Sequence, residues 1–283
     1  RNAIRRRRER AHICSRDDRA CMPRCMTNAP SPHSAMQAAA GPSAGAARVV
    51  VIGGGPAGLM AAETLARQGV SVAVAERMAT PARKFLLAGR GGLNLTHAEA
   101  LEDFLARYGD ARERLEPAIR DFPPDALRAW ADELGAETFV GSSGRVFPRA
   151  MKATPLLRAW LARLAGMGVA MRTRWSWTGW RGDGALMFAT PEGEQTLKPE
   201  AAIFALGGAS WPRLGGDGSW TQAFAARQIS LSPLRASNAG FLATWSDMFR
   251  AKFAGEPLKT VKLSFGGATT RGEAMVTDYG VEG

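Results

Sequence analysis

An α/β fold built on a parallel sheet is predicted for this 283-residue chain by three observations. A β-branched run from Arg48 to Ile52 reads as a strand buried on both faces, the usual look of a central parallel strand. It enters a glycine-rich turn within VVVIGGGPAG, Val49 to Gly58, that opens a helix. A second strand, Val70 to Ala75, follows, so strand, turn, helix and strand form one βαβ unit of about 30 residues.

Taken in order, the chain starts with a tail of different character. Residues 1–47 carry nine arginines against Glu9, Asp17 and Asp18, and hold all three cysteines, Cys14, Cys21 and Cys25. They are expected to be a disordered basic tail, read as an upstream extension of the gene model, with an organellar transit peptide as the weighed alternative. A zinc site from Cys21, Cys25 and His12 or His33 has irregular spacing and no hydrophobic support, so no metal site is assigned. The body has no cysteine, which excludes a disulfide framework and a redox-active cysteine pair there. Of the net charge of +11, the 47-residue tail carries +6 and the remaining 236 residues only +5, a mild bias that gives little support for a polyanion partner. No apolar run reaches the roughly 18 residues of a membrane helix, and a cytoplasmic protein without a membrane or nucleic-acid partner is expected.

After the first strand, Leu59 to Gln68 reads as a helix whose Ala61, Ala62 and Ala66 permit close approach to a sheet, ended by Gly69 at a left-handed position. Thr96 and Glu99 suggest a capping box opening a helix to about Arg107. Further helices are expected at 111–121 and 124–134, the latter with Pro124 early, and another from Thr154 and Pro155 to about Ala165. Between Val169 and Leu206 short strands and Gly-marked turns predict an antiparallel meander that returns to a buried parallel strand. Trp175, Trp177 and Trp180 are read there as packing residues ahead of a stacking role against a base. The last fifty residues predict a strand pair, TVKLSFGG and EAMVTDYG.

The turn itself carries chemistry. Gly53, Gly55 and Gly58 make a G-x-G-x-x-G pattern: the first permits the tight turn, the second admits a pyrophosphate against bare backbone, and the third lets helix pack on strand. The helix N-terminus adds unpaired N–H groups and partial positive charge. Glu76, ending the second strand, suits the hydroxyls of an unphosphorylated adenosine ribose and repels a 2′-phosphate, which favours FAD or NAD over NADP. The second glycine loop, helices, meander and third glycine-marked strand resemble the two-dinucleotide-fold flavoproteins, and FAD is the cofactor expected.

The stretch ARKFLLAGRGGLNLTH is similar to one family in particular, the BaiN-like NAD(P)/FAD-dependent oxidoreductases, also called aminoacetone oxidase family FAD-binding enzymes. GRVFPRAMKATPLL, ALGGASWPRLGGDG and GEAMVTDYGVEG agree, and the resemblance spans Arg48 to Gly283. It implies FAD contacts at Gly53, Gly55, Ala57, Gly58, Glu76, Lys84, Gly91, Gly92 and Asn94, with Gly207 and Gly208 closing the site. Asp217 and Gly218 are read as a helix cap. Where many relatives have Arg-Cys-Asn, this chain has Gly92-Leu93-Asn94, so any role of that cysteine is absent.

The fold class expected is thus a Rossmann-like FAD-binding domain of the two-dinucleotide-fold type with an inserted β-meander, followed by the start of an inserted β-rich substrate domain. The boundaries read are 48–232 for the first and 233–283 for the second, with a longer chain implied by the resemblance. The function expected is hydride transfer between the flavin and a small-molecule substrate or NAD(P)H as electron donor. No catalytic residue is assigned; His97, the only histidine of the body, is read as a surface residue ahead of an acid–base role. Two alternatives stand beside this reading: a non-catalytic dinucleotide-binding fragment, and a flavoprotein acting on RNA through the tail. Substrate and oligomeric state are left open.

Overall fold

The computed structural model describes residues 47–88, 92–235 and 240–282. The basic tail and Gly91 lie outside the described residues.

The first unit is β1 (Val49–Ile52), α1 (Pro56–Arg67) and β2 (Val72–Glu76). Pro56 sits at the start of α1, where its missing N–H costs nothing, and Gly69 follows the helix at φ 75°. Then come α2 (Arg83–Ala88), β3 (Thr96–His97), α3 (Leu101–Ala106), α4 (Arg112–Asp121) and α5 (Pro124–Glu133). A small antiparallel sheet in the order β3-β5-β4 is completed by β4 (Thr138–Val140) and β5 (Arg145–Pro148). The expected capping box at Thr96 is therefore corrected. Thr96 pairs with Val146 as strand, and α3 starts at Leu101 behind Ala100, because pairing of the backbone to β5 takes the chain out of helical geometry.

Helix α6 (Ala153–Gly166) begins two residues before the expected proline and leads to β6 (Ala170–Thr173). This strand was expected in the meander; it instead pairs parallel with β2, Ala73 opposite Ala170, and forms an edge of the main sheet. The meander proper is β7 (Ser176–Trp180), β8 (Leu186–Thr190) and β9 (Gly193–Leu197). The chain then returns as β10 (Ala201–Phe204) beside β1, giving a parallel sheet of order β10-β1-β2-β6. Beyond it lie α7 (Trp220–Ala226), β11 (Phe241–Leu242), α8 (Asp247–Phe253), β12 (Pro257–Phe265), β13 (Ala268–Val276) and β14 (Gly280–Glu282), the four strands forming an antiparallel sheet β11-β14-β13-β12. The expected α/β class, with its parallel Rossmann-like sheet and added antiparallel strands, is what the chain forms.

Both faces of the parallel sheet are covered, which is why β1 and β2 read as unbroken apolar runs. Side chains alternate along a strand. Val51, Val72 and Val74 face Leu59 and Ala62 of α1, Trp130 of α5 and Leu156, Leu157 and Trp160 of α6. Val50, Ile52 and Ala75 face the meander through Leu186 and Phe188, with Trp175, Trp177, Trp180 and Phe204 against them. Trp177 and Trp180 meet edge to face at 4.6 Å, and each also packs on Phe204 and Phe224, so the tryptophans serve as packing residues.

Among the described residues, one charged residue is buried in this core. Glu63, on the face of α1 turned to α5 and α6, accepts hydrogen bonds from the indoles of Trp130 and Trp160 and from Arg67 and Arg163. A buried charge is tolerated when it is so satisfied, and this knot joins three helices.

Candidate functional site

Above the carboxyl ends of β1, β2 and β10 lies a cavity of about 810 Å³. Open α/β sheets place ligands at such strand ends. Its floor is the β1–α1 turn. Gly53 has φ 109°, and a Cβ there would lie 2.3 Å from the carbonyl oxygen of Ala205, just beyond β10. At Gly58 a Cβ would lie 1.9 Å from the Gly53 carbonyl oxygen. Those two glycines are dictated by close backbone packing. Gly55 is different: among the described residues nothing lies within 4 Å of a Cβ built on it. Its bare backbone faces the cavity at the start of α1, where Ala57 also lines the wall. The first-turn N–H groups of a helix lack intrahelical acceptors and attract anions.

Glu76 stands at the next strand end. Its Oε2 accepts the N–H of Gly54 at 2.8 Å and its Oε1 accepts the N–H of Met78 at 2.7 Å. These bonds fix the carboxylate against the glycine turn while leaving each oxygen a further lone pair. Lys84 of α2 lines the cavity and donates to the Ser210 hydroxyl at 3.3 Å. A Cβ on Gly216 would lie 2.4 Å from the Lys84 ammonium, so the absence of a side chain at Gly216 makes room for the lysine.

Arg77, next to Glu76, pairs through Nη2 with Asp217 at 3.0 Å. The Asp217 carboxyl is pushed down to about 2, first by this hydrogen bond from Arg77 and then by the backbone N–H of Ser219. The guanidinium and carboxylate tie the loop after β10 to the end of β2. Gly207, at φ 71°, begins that loop and lines the cavity; its carbonyl accepts the Trp220 indole N–H at 3.1 Å.

Of the residues singled out in the sequence, Gly53, Gly55, Ala57, Glu76, Lys84 and Gly207 border this one cavity, and Gly58 supports its floor. Gly92, Asn94 and Gly208 are not on its walls. Gly92, at φ 126°, lies instead over the side chains of Met151 and Phe147. Gly91 is outside the described residues. His97 is held away on β3, its Nε2 2.9 Å from the Ser143 carbonyl and its Nδ1 3.4 Å from Glu99. Among the described residues no cluster of histidine, cysteine and acidic groups could hold a metal ion, and no helix is long and apolar enough to cross a membrane.

Sequence reading missed Arg77, and it took Asp217 for a helix cap. Asp217 does accept from Ser219, at 3.1 Å from the backbone, but its other oxygen serves Arg77. The available signal was the position of Arg77 directly after Glu76. Trp175 and Trp177 also border the cavity, and so does Phe224, which the sequence reading did not single out.

The family model described as HI0933-like protein Rossmann domain matches residues 47–278. Among solved structures the chain is similar to the open conformation of a flavocytochrome c3 fumarate reductase, at 14% identity over 76% of this chain and 47% of that one, with a TM-score of 0.55. It is also similar to 3-ketosteroid-delta4-(5alpha)-dehydrogenase from Rhodococcus jostii RHA1, solved with 4-androstene-3,17-dione, at 16% identity over 64% of this chain and 49% of that one, with a TM-score of 0.44. The chain spans about half the length of these two structures, and the likeness to the fumarate reductase at such identity is a likeness of fold.

Proposed function

The chain belongs to the HI0933-like family of FAD-dependent oxidoreductases, and from that premise we propose that the cavity over β1, β2 and β10 holds FAD for a redox reaction on a small organic substrate. The observation that carries this reading is Gly55: open space above an unblocked backbone, at a helix start, with an acidic group fixed beside it. A diphosphate needs that bare backbone, and Gly53 and Gly58 show that neighbouring glycines are spent on packing instead.

The residues fit the cofactor by type. Gly55 and Ala57 would take the diphosphate with backbone N–H groups. Glu76, already oriented by Gly54 and Met78, would accept from the two ribose hydroxyls through its unused lone pairs. Lys84 and Arg83 add positive charge to the same cavity, offsetting the phosphates. Bound FAD supplies two-electron redox chemistry, which the protein tunes by position and electrostatics. NAD(P)H as the electron donor belongs to the same proposal, as do the remaining loop positions Gly91, Gly92, Asn94 and Gly208.

The test is titration of the full chain with FAD, followed by flavin fluorescence and visible absorbance. Saturable binding near one FAD per chain is expected. Absence of binding at tens of micromolar FAD, by a chain with native circular dichroism, would overturn the proposal.

A further inference from the structure

We infer that Asp217 determines nucleotide specificity by pairing with Arg77, so that the ribose end of the cavity presents a carboxylate beside a guanidinium whose charge is already offset. The inference rests on the dinucleotide reading of the cavity and concerns which adenosine ribose it accepts.

Two opposite groups stand side by side at the end of β2. Glu76 is fixed by the N–H groups of Gly54 and Met78, and Arg77, which follows it, lines the same cavity. An arginine at such a position is what a 2′-phosphate seeks, because a guanidinium binds phosphate with several donors at once. Left free, Arg77 would set a phosphate-binding group against the neighbouring carboxylate and blur the choice between ribose and 2′-phosphoribose.

The structure removes that conflict with a residue 140 positions away in the chain. Asp217 meets Arg77 at 3.0 Å, and Ser219 holds the carboxylate in place with its backbone N–H at 3.1 Å and its hydroxyl at 2.9 Å. The loop that brings Asp217 there is seated on the same arginine. A Cβ on Gly215, at φ 96°, would lie 3.1 Å from Met78 Cγ and 3.4 Å from Arg77 Nε, so only a residue without a side chain lets the loop come this close. Trp211 and Gly216 exchange backbone hydrogen bonds at 3.1 and 3.0 Å and close the loop on itself. The loop thus delivers one carboxylate to one guanidinium from a fixed direction.

Discrimination against a 2′-phosphate then has two parts: repulsion by Glu76, and withdrawal of Arg77 by Asp217. The second is specific to Asp217 and is separable from adenosine binding itself.

The experiment is calorimetric titration of the full chain, free of flavin, with 5′-AMP and with adenosine 2′,5′-bisphosphate, which differ only in the 2′-phosphate. The native chain should prefer 5′-AMP. In Asp217→Asn the preference should narrow by about tenfold, the value of one charge-assisted contact, with 5′-AMP affinity little changed. Adding Arg77→Gln to Asp217→Asn should restore the native ratio. Asp217→Ser carries the same expectation and serves if the asparagine variant lacks native circular dichroism. An unchanged ratio in a folded variant that still binds 5′-AMP overturns the inference alone. Failure of the native chain to bind 5′-AMP overturns the dinucleotide reading together with it.

Discussion

The buried carboxylate of Glu63 on α1 accepts the indole N–H of Trp160 on α6 at 2.6 Å. Trp130 of α5 donates to the same oxygen at 3.1 Å, and Arg67 and Arg163 donate to the other at 2.7 and 3.2 Å. Burial alone would raise the Glu63 carboxyl, but these donors together hold it below its ordinary value. Glu63→Ala strands two buried indoles and leaves Arg67 and Arg163 with Glu133 as their remaining carboxylate, and should cost about 3–5 kcal/mol in urea unfolding. Because the folded carboxyl is depressed, its stabilisation is complete above the unfolded value of 4.5 and is lost as pH falls through the lower folded value. The unfolding free energy of the native chain should therefore fall in acid below about pH 4.5 more steeply than that of Glu63→Gln.

Two tryptophans should respond differently to one substitution. Trp160 donates to Glu63, whereas the buried Nε1 of Trp177 has no partner among the described residues. Both lose similar volume on replacement by phenylalanine. Trp160→Phe should cost about 1–3 kcal/mol more than Trp177→Phe, since only the first deprives a buried charge of a donor. Chemical denaturation of the two variants side by side checks this, and equal losses would show the indole N–H at Trp160 to be dispensable.

The glycines of the turn separate folding from binding. Gly58→Ala pushes a methyl to 1.9 Å from the Gly53 carbonyl oxygen and should lower thermal stability sharply. Gly55→Ala meets nothing within 4 Å among the described residues and has φ −79°, open to any residue. It should melt within a few degrees of the native chain yet bind FAD at least about tenfold more weakly, one such factor being about 1.4 kcal/mol. Native FAD affinity in Gly55→Ala would remove the diphosphate from this turn.

The Arg77–Asp217 pair should be insensitive to pH through the physiological range. Asp217 is held down to about 2 by Arg77 and Ser219, from an ordinary 3.8. The pair is complete above the ordinary value and lost as pH falls through the depressed one. The ratio of affinities for 5′-AMP and its 2′-phosphorylated form, corrected for the phosphate's own titration, should stay level from pH 8 to pH 5. A drift within that window would point to another titrating group.

Local rules made the centre of this molecule legible in the amino-acid sequence. The run at Val49–Ile52, the glycine pattern and Glu76 each obey short-range constraints: alternation on a doubly covered sheet, left-handed or close-packed backbone, and a strand-end carboxylate. What escaped was decided across distance. Thr96 has the composition of a helix cap, but its backbone is claimed by Val146. Residues 170–173 carry no mark that separates a meander strand from the fourth strand of the parallel sheet; pairing with β2 decides it. Asp217 looks like a cap because its bond to Ser219 is local, while its partner Arg77 lies on another element. Family resemblance supplied the loop positions that physics alone did not single out, and the cavity walls include only some of them.

The position of β10 has a consequence for how the chain is made. β1 is the second strand in space, yet one of its two neighbours, Ala201–Phe204, leaves the ribosome some 150 residues after it. Until then the strand carrying the glycine turn has an open edge, and the carbonyl of Ala205 against which Gly53 packs has not been synthesised. Long-range pairing of this kind is slow and exposes sticky surface to neighbouring nascent chains. Early termination anywhere before β10 yields a product without the cavity over β1, β2 and β10 and with an edge open to aggregation, a natural target for chaperones and proteases.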